Sequence, residues 1–249
     1  MQTIISILCE NTVVSARLLG EHGWSCVIER GNERYLFDTG QGMTITHNAE
    51  AMEISLRDIG SIFISHGHYD HTGGLKAALE QIGPSEIIAH PAVFDRHCTT
   101  KGVLPDKPRY IGCPFTQSEL TTLGARLRFV NKTEEVMPGI WFVTGIRRNP
   151  EMAPNDSRLV LERNGQLVAD LIEDDSNLLI ETDKGPVLIL GCAHSGIINI
   201  LDFLRQEMGI DRLAAVLGGT HLAFTDLGLL PQVIERLESF NVDLVGASH

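Results

Sequence analysis

Short apolar runs, each closed by small residues and then a histidine, recur along this chain. Ile62-Phe63-Ile64 leads into Ser65-His66, and Val187-Leu188-Ile189-Leu190 into Gly191-Cys192-Ala193-His194. Ala215-Val216-Leu217 leads into Gly218-Gly219-Thr220-His221, and Leu244-Val245 into Gly246-Ala247-Ser248-His249. Runs this short, bounded by turn residues, read as buried strands. Further strands are predicted over 3–8, 24–29, 34–38, 86–90, 127–130, 140–143, 158–162 and 177–182. Gly31-Asn32 and Asp183-Lys184-Gly185 supply tight turns. Helical patterns cover 75–82, stopped by Gly83-Pro84, a segment from Gly196 with Ile197, Ile200, Leu201 and Leu204 on one face, and 231–240. Residues 41–60 read as a loop with a short helix. Between 95 and 120 the period breaks at Lys101, Pro105, Lys107, Pro108, Arg109 and Pro114, which predicts an irregular excursion covering or bordering the site.

Strands that end in small residues and a histidine gather side chains at one edge of a sheet, which lets a site form from distant sequence. The densest cluster is His66-Gly67-His68-Tyr69-Asp70-His71. Imidazole nitrogen and carboxylate oxygen are the donors that zinc and its first-row neighbours prefer. In an extended segment His66 and His68 point to one side, and the turn after Tyr69 brings Asp70 and His71 round to the same point. His194, at another strand tip, is a further candidate ligand, and His221 a residue lining the site. Asp38, ending a strand beside Thr39-Gly40, suits a supporting role: accepting a hydrogen bond from a ligand histidine or from loop backbone.

Other residues carry two readings each. Asp174 or Asp175 serves the metal or caps a turn, and Cys192 is a thiolate ligand or a small buried residue. Arg147 and Arg148 receive an anionic substrate group or are solvated. His90, before Pro91, is expected to cap or pack, and His22, His47 and His97 to be ordinary polar histidines.

Composition narrows the class. At 249 residues with 43% apolar content, the chain is expected to form one α/β domain over 1–249. No run approaches the ~18 apolar residues of a membrane span, and Met1 to Leu8 reads as a first strand without the basic lead of a signal peptide. Five scattered cysteines suggest reduced thiols in a cytoplasmic protein. A net charge of -12 argues against nucleic acid or an anionic membrane as partner.

His66-x-His68-x-Asp70-His71 after an apolar strand resembles the signature of the metallo-β-lactamase superfamily. The resemblance extends to Phe37-Asp38-Thr39-Gly40, to Gly191 through Ile197 and to Gly218 through Leu222. Together these motifs look like a branch whose members are named 7,8-dihydropterin-6-methyl-4-(β-D-ribofuranosyl)aminobenzene 5′-phosphate synthase, or dihydropteroate synthase-like. The resemblance implies a four-layer αββα sandwich of two mixed β-sheets with one or two divalent ions at one edge, zinc first, manganese or iron as alternatives. It implies His66, His68, Asp70, His71, His194 and His249 as ligands, the last by its order along the chain. Asp70 is expected to hold a second metal or orient a nucleophile.

Two departures stand out. Many hydrolytic members carry Gly-Asp where this chain has Gly191-Cys192, which makes a single ion, or two unequally held, an alternative to a tight pair. The branch pattern continues past the last histidine with Cys-Thr-Gly, whereas this sequence stops at His249, by removal of a tail or with a terminal carboxylate near the metal.

A divalent ion acidifies water and polarises a phosphoryl or carbonyl oxygen. A helix starting near Gly73 is expected to present its N-terminus to the site and favour an anion there. These features predict a metal-dependent hydrolase or transferase for a small anionic, phosphorylated substrate. The branch name implies condensation of a pterin diphosphate with an arylamine, and the ligand set supports hydrolysis equally. The alternative is a non-catalytic metal-binding or sensor module.

Overall fold

The computed structural model describes residues 2–100 and 107–249. Its strands in the first half are β1 (Thr3–Cys9), β2 (Ser25–Arg30), β3 (Glu33–Phe37), β4 (Ser61–Ile64), β5 (Glu86–Ala89), β6 (His97–Thr99), β7 (Arg109–Tyr110) and β8 (Arg126–Phe129). Those in the second half are β9 (Glu134–Met137), β10 (Ile140–Val143), β11 (Leu159–Arg163), β12 (Gln166–Ala169), β13 (Asn177–Ile180), β14 (Val187–Leu190), β15 (Ala215–Gly219) and β16 (Leu244–Ser248). The helices are α1 (Ile45–Ala51), α2 (Tyr69–Thr72), α3 (Leu75–Ile82), α4 (Gln117–Thr122), α5 (Ile197–Met208) and α6 (Leu230–Ser239).

Two six-stranded mixed sheets run in the orders β1-β2-β3-β4-β5-β8 and β16-β15-β14-β13-β10-β9. In each, antiparallel pairs give way to parallel ones on the side that reaches the donors: β3, β4 and β5 are parallel, as are β14, β15 and β16. Alternation along each strand decides the layers. Ile62 and Ile64 of β4 face Ile45, Leu75, Leu79 and Leu120 from α1, α3 and α4. Phe63 between them faces the other sheet, among Phe37, Ile88, Phe142, Leu178, Ile180 and Ile189. On the far side, Leu179, Leu188 and Leu190 pack on Ile200, Leu201 and Leu204 of α5 and Val233 of α6. Helix, sheet, sheet, helix is thus the layer order, the αββα sandwich the motifs implied. Each fully buried Leu, Ile or Phe in these layers contributes about 1.5–3 kcal/mol.

The excursion at 95–120 differs from expectation. Its described part is ordered into β6, β7 and α4, the helix opening with a capping box between Thr116 and Glu119. Lys101 and Pro105 lie outside the described residues. A third sheet, β12-β11-β6-β7, forms where β11 pairs with β6. Among the described residues, no helix is long and apolar enough to cross a membrane.

Candidate metal centre

The tips of β3, β4, β14, β15 and β16 meet at one edge of the sandwich. Close backbone approach is what makes this possible. A Cβ on Gly191 would lie 2.2 Å from the Ser65 Cβ, so only glycine lets the end of β14 touch the end of β4. Gly218, at φ +106, does the same for β15 against Leu190, where a Cβ would lie 2.1 Å from the carbonyl oxygen.

The donors form a continuous cluster. His66 Nε2 lies 3.0 Å from His68 Nδ1, and the donor atoms of His66, His68 and His194 fall within 4.8 Å of one another. His71 Nε2 lies 3.1 Å from His249 Nε2, and with Cys192 these two make another triad within that limit. His249 Nε2 is also 3.5 Å from Asp70 Oδ2. Cys192 Sγ lies 3.2 Å from His221 Nδ1, and Cys192, His194 and His221 form a further triad.

Supporting groups fix the rings. Asp38 is fully buried at φ +56. Its carboxylate accepts from Ser65 N at 2.7 Å, Ser65 Oγ at 2.6 Å and His71 Nδ1 at 2.8 Å. It makes both kinds of contact expected of it, and leaves His71 Nε2 directed at His249. Asp175 accepts from the backbone of His194 at 3.0 Å and of Ser195 at 2.8 Å, which holds the loop after β14. Asp174 accepts from Gly67 N at 2.6 Å and sits in none of the donor triads, nor does Asp175.

Two residues outside the expected site belong beside it. His22 Nε2 lies 3.0 Å from Asp70 Oδ2, and its ring is 4.7 Å from that of His249. His22 gets there because the chain at Gly23 and Trp24 rests on the Asp70 carbonyl. His97, expected to be an ordinary polar histidine, is buried between two carboxylates: Asp170 at 2.6 Å and Asp174 at 3.6 Å. His47 stays exposed, its Nε2 3.0 Å from the Arg17 carbonyl, and His90 Nδ1 accepts from Ala92 N.

Electrostatics sort these groups. Burial, then neighbouring imidazoles, push His66 and His194 well below the ordinary histidine range. Burial is also the main cause that lowers His68 and His221 to about 4 and His249 to about 3. All five are neutral imidazoles at pH 7, the form that binds metal. Burial opposes charge on His71, but Asp38 outweighs it and raises its pKa. Burial likewise opposes the Asp70 carboxylate, yet the His22 hydrogen bond and His71 hold it well below the usual carboxylate range. A cation fits this set: His194 Nε2 and His221 Nε2 are buried without a hydrogen-bond partner, an arrangement that is costly unless something accepts their lone pairs.

His68, Asp70, Cys192, His194, His221 and His249 line a cleft of ≈ 750 Å³ whose walls include Tyr69, Thr99, Arg109, Arg158 and Phe224, with His66 and His71 buried behind them. A cavity of ≈ 790 Å³ beside Trp141, Phe203 and Met208 holds none of them. Two expectations about anion binding change. Gly73 and Gly74, at the start of α3, pack on Gln41 and Thr39, and neither lines the cleft. Arg148 is engaged with Ser195 Oγ at 3.2 Å and the Ile172 carbonyl, and Arg147 is not on the cleft wall either. Arg158 is paired with Asp156 and lies over the Phe224 ring. Arg109, on the cleft wall, carries no ion pair or side-chain hydrogen bond among the described residues.

Comparison with known proteins agrees with this architecture. Residues 19–97 match the sequence profile of the metallo-β-lactamase superfamily. The chain is 30% identical over 243 residues to the 7,8-dihydropterin-6-methyl-4-(β-D-ribofuranosyl)-aminobenzene-5′-phosphate synthase of Methanocaldococcus jannaschii, covering 92% of this chain and 80% of that one. It is 30% identical over 239 residues to an uncharacterized protein of the same organism, covering 95% and 86% respectively. A crystal structure described as a metal-dependent hydrolase of the β-lactamase superfamily superposes with a TM-score of 0.83 at 27% identity, over 98% of this chain and 87% of that one. With the αββα sandwich and strand-tip donors already in place, these likenesses lead to one conclusion: the chain belongs to the metallo-β-lactamase superfamily.

Proposed function

We infer that this protein is a metal-dependent enzyme acting on a small anionic, phosphorylated substrate. The observation that carries this reading is the convergence of imidazoles, a carboxylate and a thiol beside a cleft whose wall carries Arg109, which has no ion pair among the described residues. His66, His68 and His194 would hold one divalent ion, and Asp70, His71 and His249 a second. A bound divalent ion supplies Lewis acidity, polarising a phosphoryl or carbonyl oxygen and acidifying a nucleophile. The chain's own residues do the rest. Asp38 keeps the His71 ring in one tautomer and orientation. Asp70 remains an ionised acceptor that orients an entering nucleophile, steadied by His22. Arg109 receives the anionic group of the substrate.

Hydrolysis and displacement of pyrophosphate from a pterin diphosphate by an arylamine need the same machinery and differ in the nucleophile. The likeness to the M. jannaschii synthase favours the second. The test is turnover of pterin diphosphate with an arylamine, alongside a panel of phosphomonoesters and phosphodiesters. Activity on one of these that disappears both on chelation and in His68→Ala supports the enzyme. Tight metal binding with no turnover of any of them would instead favour a sensor module.

A further inference from the structure

We propose that the ≈ 790 Å³ cavity beside Trp141 is a second binding site, for a short apolar peptide with a free amine at one end and a free carboxylate at the other. It lies apart from the metal donors and does not depend on the metal-dependent reading above. The cavity exists because the sheet runs on past its helical cover. β10 is the last strand but one in its sheet, and Trp141 stands across the strand pair from Leu179. Leu179 is buried under the α5 layer, whereas Trp141 is only partly covered. Phe203 and Met208 of α5 complete the apolar lining. A space of this size, mostly apolar with a few polar groups, is what a small ligand needs.

Charge is divided between the two ends of the cavity. At one end Lys132 lies beside Gly145, where Thr144 N donates to Thr133 Oγ1 at 3.1 Å. At the other end is Glu181, whose N–H donates to the Gly139 carbonyl just before β10 begins. Glu207 joins it there, in the last turn of α5. That helix runs back from the strand tips, and the chain beyond it returns to Pro186 through the Ala214 N–H. The four residues of β10 set the two ends about 13 Å apart, which an extended tetrapeptide spans. Among the described residues none of these three charged groups makes an ion pair. A fatty acid would satisfy Lys132 and leave both carboxylates against its tail, and an alkylamine would do the reverse. A molecule carrying both charges, with apolar side chains between them for Trp141, matches the whole cavity.

Calorimetric titration of the chelated protein with the tetrapeptide Ala-Leu-Phe-Leu tests this without any bound ion. Trp141 is one of two tryptophans and the other, Trp24, is fully buried, so indole emission should change as the peptide binds. N-acetylation of the peptide should weaken binding about fivefold, and C-terminal amidation by a similar factor, the scale of one partly exposed ion pair. Lys132, Glu181 and Glu207 are exposed, so their replacement leaves the core intact. Glu181→Gln combined with Glu207→Gln should abolish the effect of acetylation, and Lys132→Ala that of amidation. No binding at millimolar peptide, binding without a change in emission, equal affinity for free and doubly blocked peptides, or variants that leave both effects in place would each overturn the proposal.

Discussion

Replacing His97 by alanine would leave two carboxylates facing each other in the protein interior. Its imidazole lies 2.6 Å from Asp170 and 3.6 Å from Asp174, and all three side chains are at most 1% exposed. Burial by itself would lower the His97 pKa, but the paired carboxylates outweigh it and raise it from 6.5 to about 10. That difference corresponds to about 5 kcal/mol of preference for the imidazolium. Desolvation of the partners offsets part of it. Removing one member of a buried pair costs about 3–5 kcal/mol, because the remaining charge has no partner. At about 2–4 °C per kcal/mol for a chain of this size, the melting temperature should fall by about 6–20 °C.

The pH dependence has a definite sign. His97 is raised, so its contribution is complete below pH 6.5 and is lost as pH climbs through about 10. Asp174 is lowered: burial opposes its charge, and His97 outweighs burial, so its contribution is present above pH 3.8 and lost as pH falls through its folded value. Urea unfolding of chelated wild type and His97→Ala, measured from pH 4 to 10, reads the His97 effect. Between pH 6.5 and 10 the wild type should lose more stability than the variant. A difference below about 1 kcal/mol at pH 6, or identical slopes, would refute the ion-pair account.

Other expectations concern the centre and its cleft. Asp38→Asn should weaken zinc affinity about 10–100-fold in competition with a chromophoric chelator, because His71 loses the carboxylate that orients it; unchanged affinity would contradict this. Arg109→Ala should leave stability within about 0.5 kcal/mol while weakening calorimetric binding of pyrophosphate about tenfold, the equivalent of about 1.4 kcal/mol. Equal binding would place the anionic group elsewhere. Gly191→Ala should cost about 1–3 kcal/mol by overpacking against Ser65, read by chemical denaturation, and no loss would mean that β14 can retreat freely.

Much of this architecture was legible in the chain because the informative signals are local. Each of β4, β14, β15 and β16 combines an apolar run, glycine or serine and a histidine within about ten residues, and all four histidines converge. What stayed hidden depends on partners far away in sequence. His97 acquires its role from Asp170 and Asp174, 73 and 77 positions on, and His22 from Asp70. The third sheet was hidden for another reason: β6 has three residues and β7 two, too few for a period of two to register. The start of α3 looked open to an anion because a helix N-terminus offers unpaired N–H groups and a favourable dipole. The approaching partner is the loop at Thr39 to Gln41, not the cleft.

Each sheet contributes its own share of the donors. His66, His68 and His71 follow β4, whereas Cys192, His194, His221 and His249 follow β14, β15 and β16. An ion bound among them would act as a clasp across the seam of the sandwich, and the spacing of these donors gauges how the two halves are aligned. A void opened deep in that seam, as by Phe142→Ala, would let one sheet slip on the other and pull the clasp apart without touching any ligand. Conversely, an ion held by both sides would pin the seam, with a stabilisation that grows as the logarithm of ion concentration over Kd.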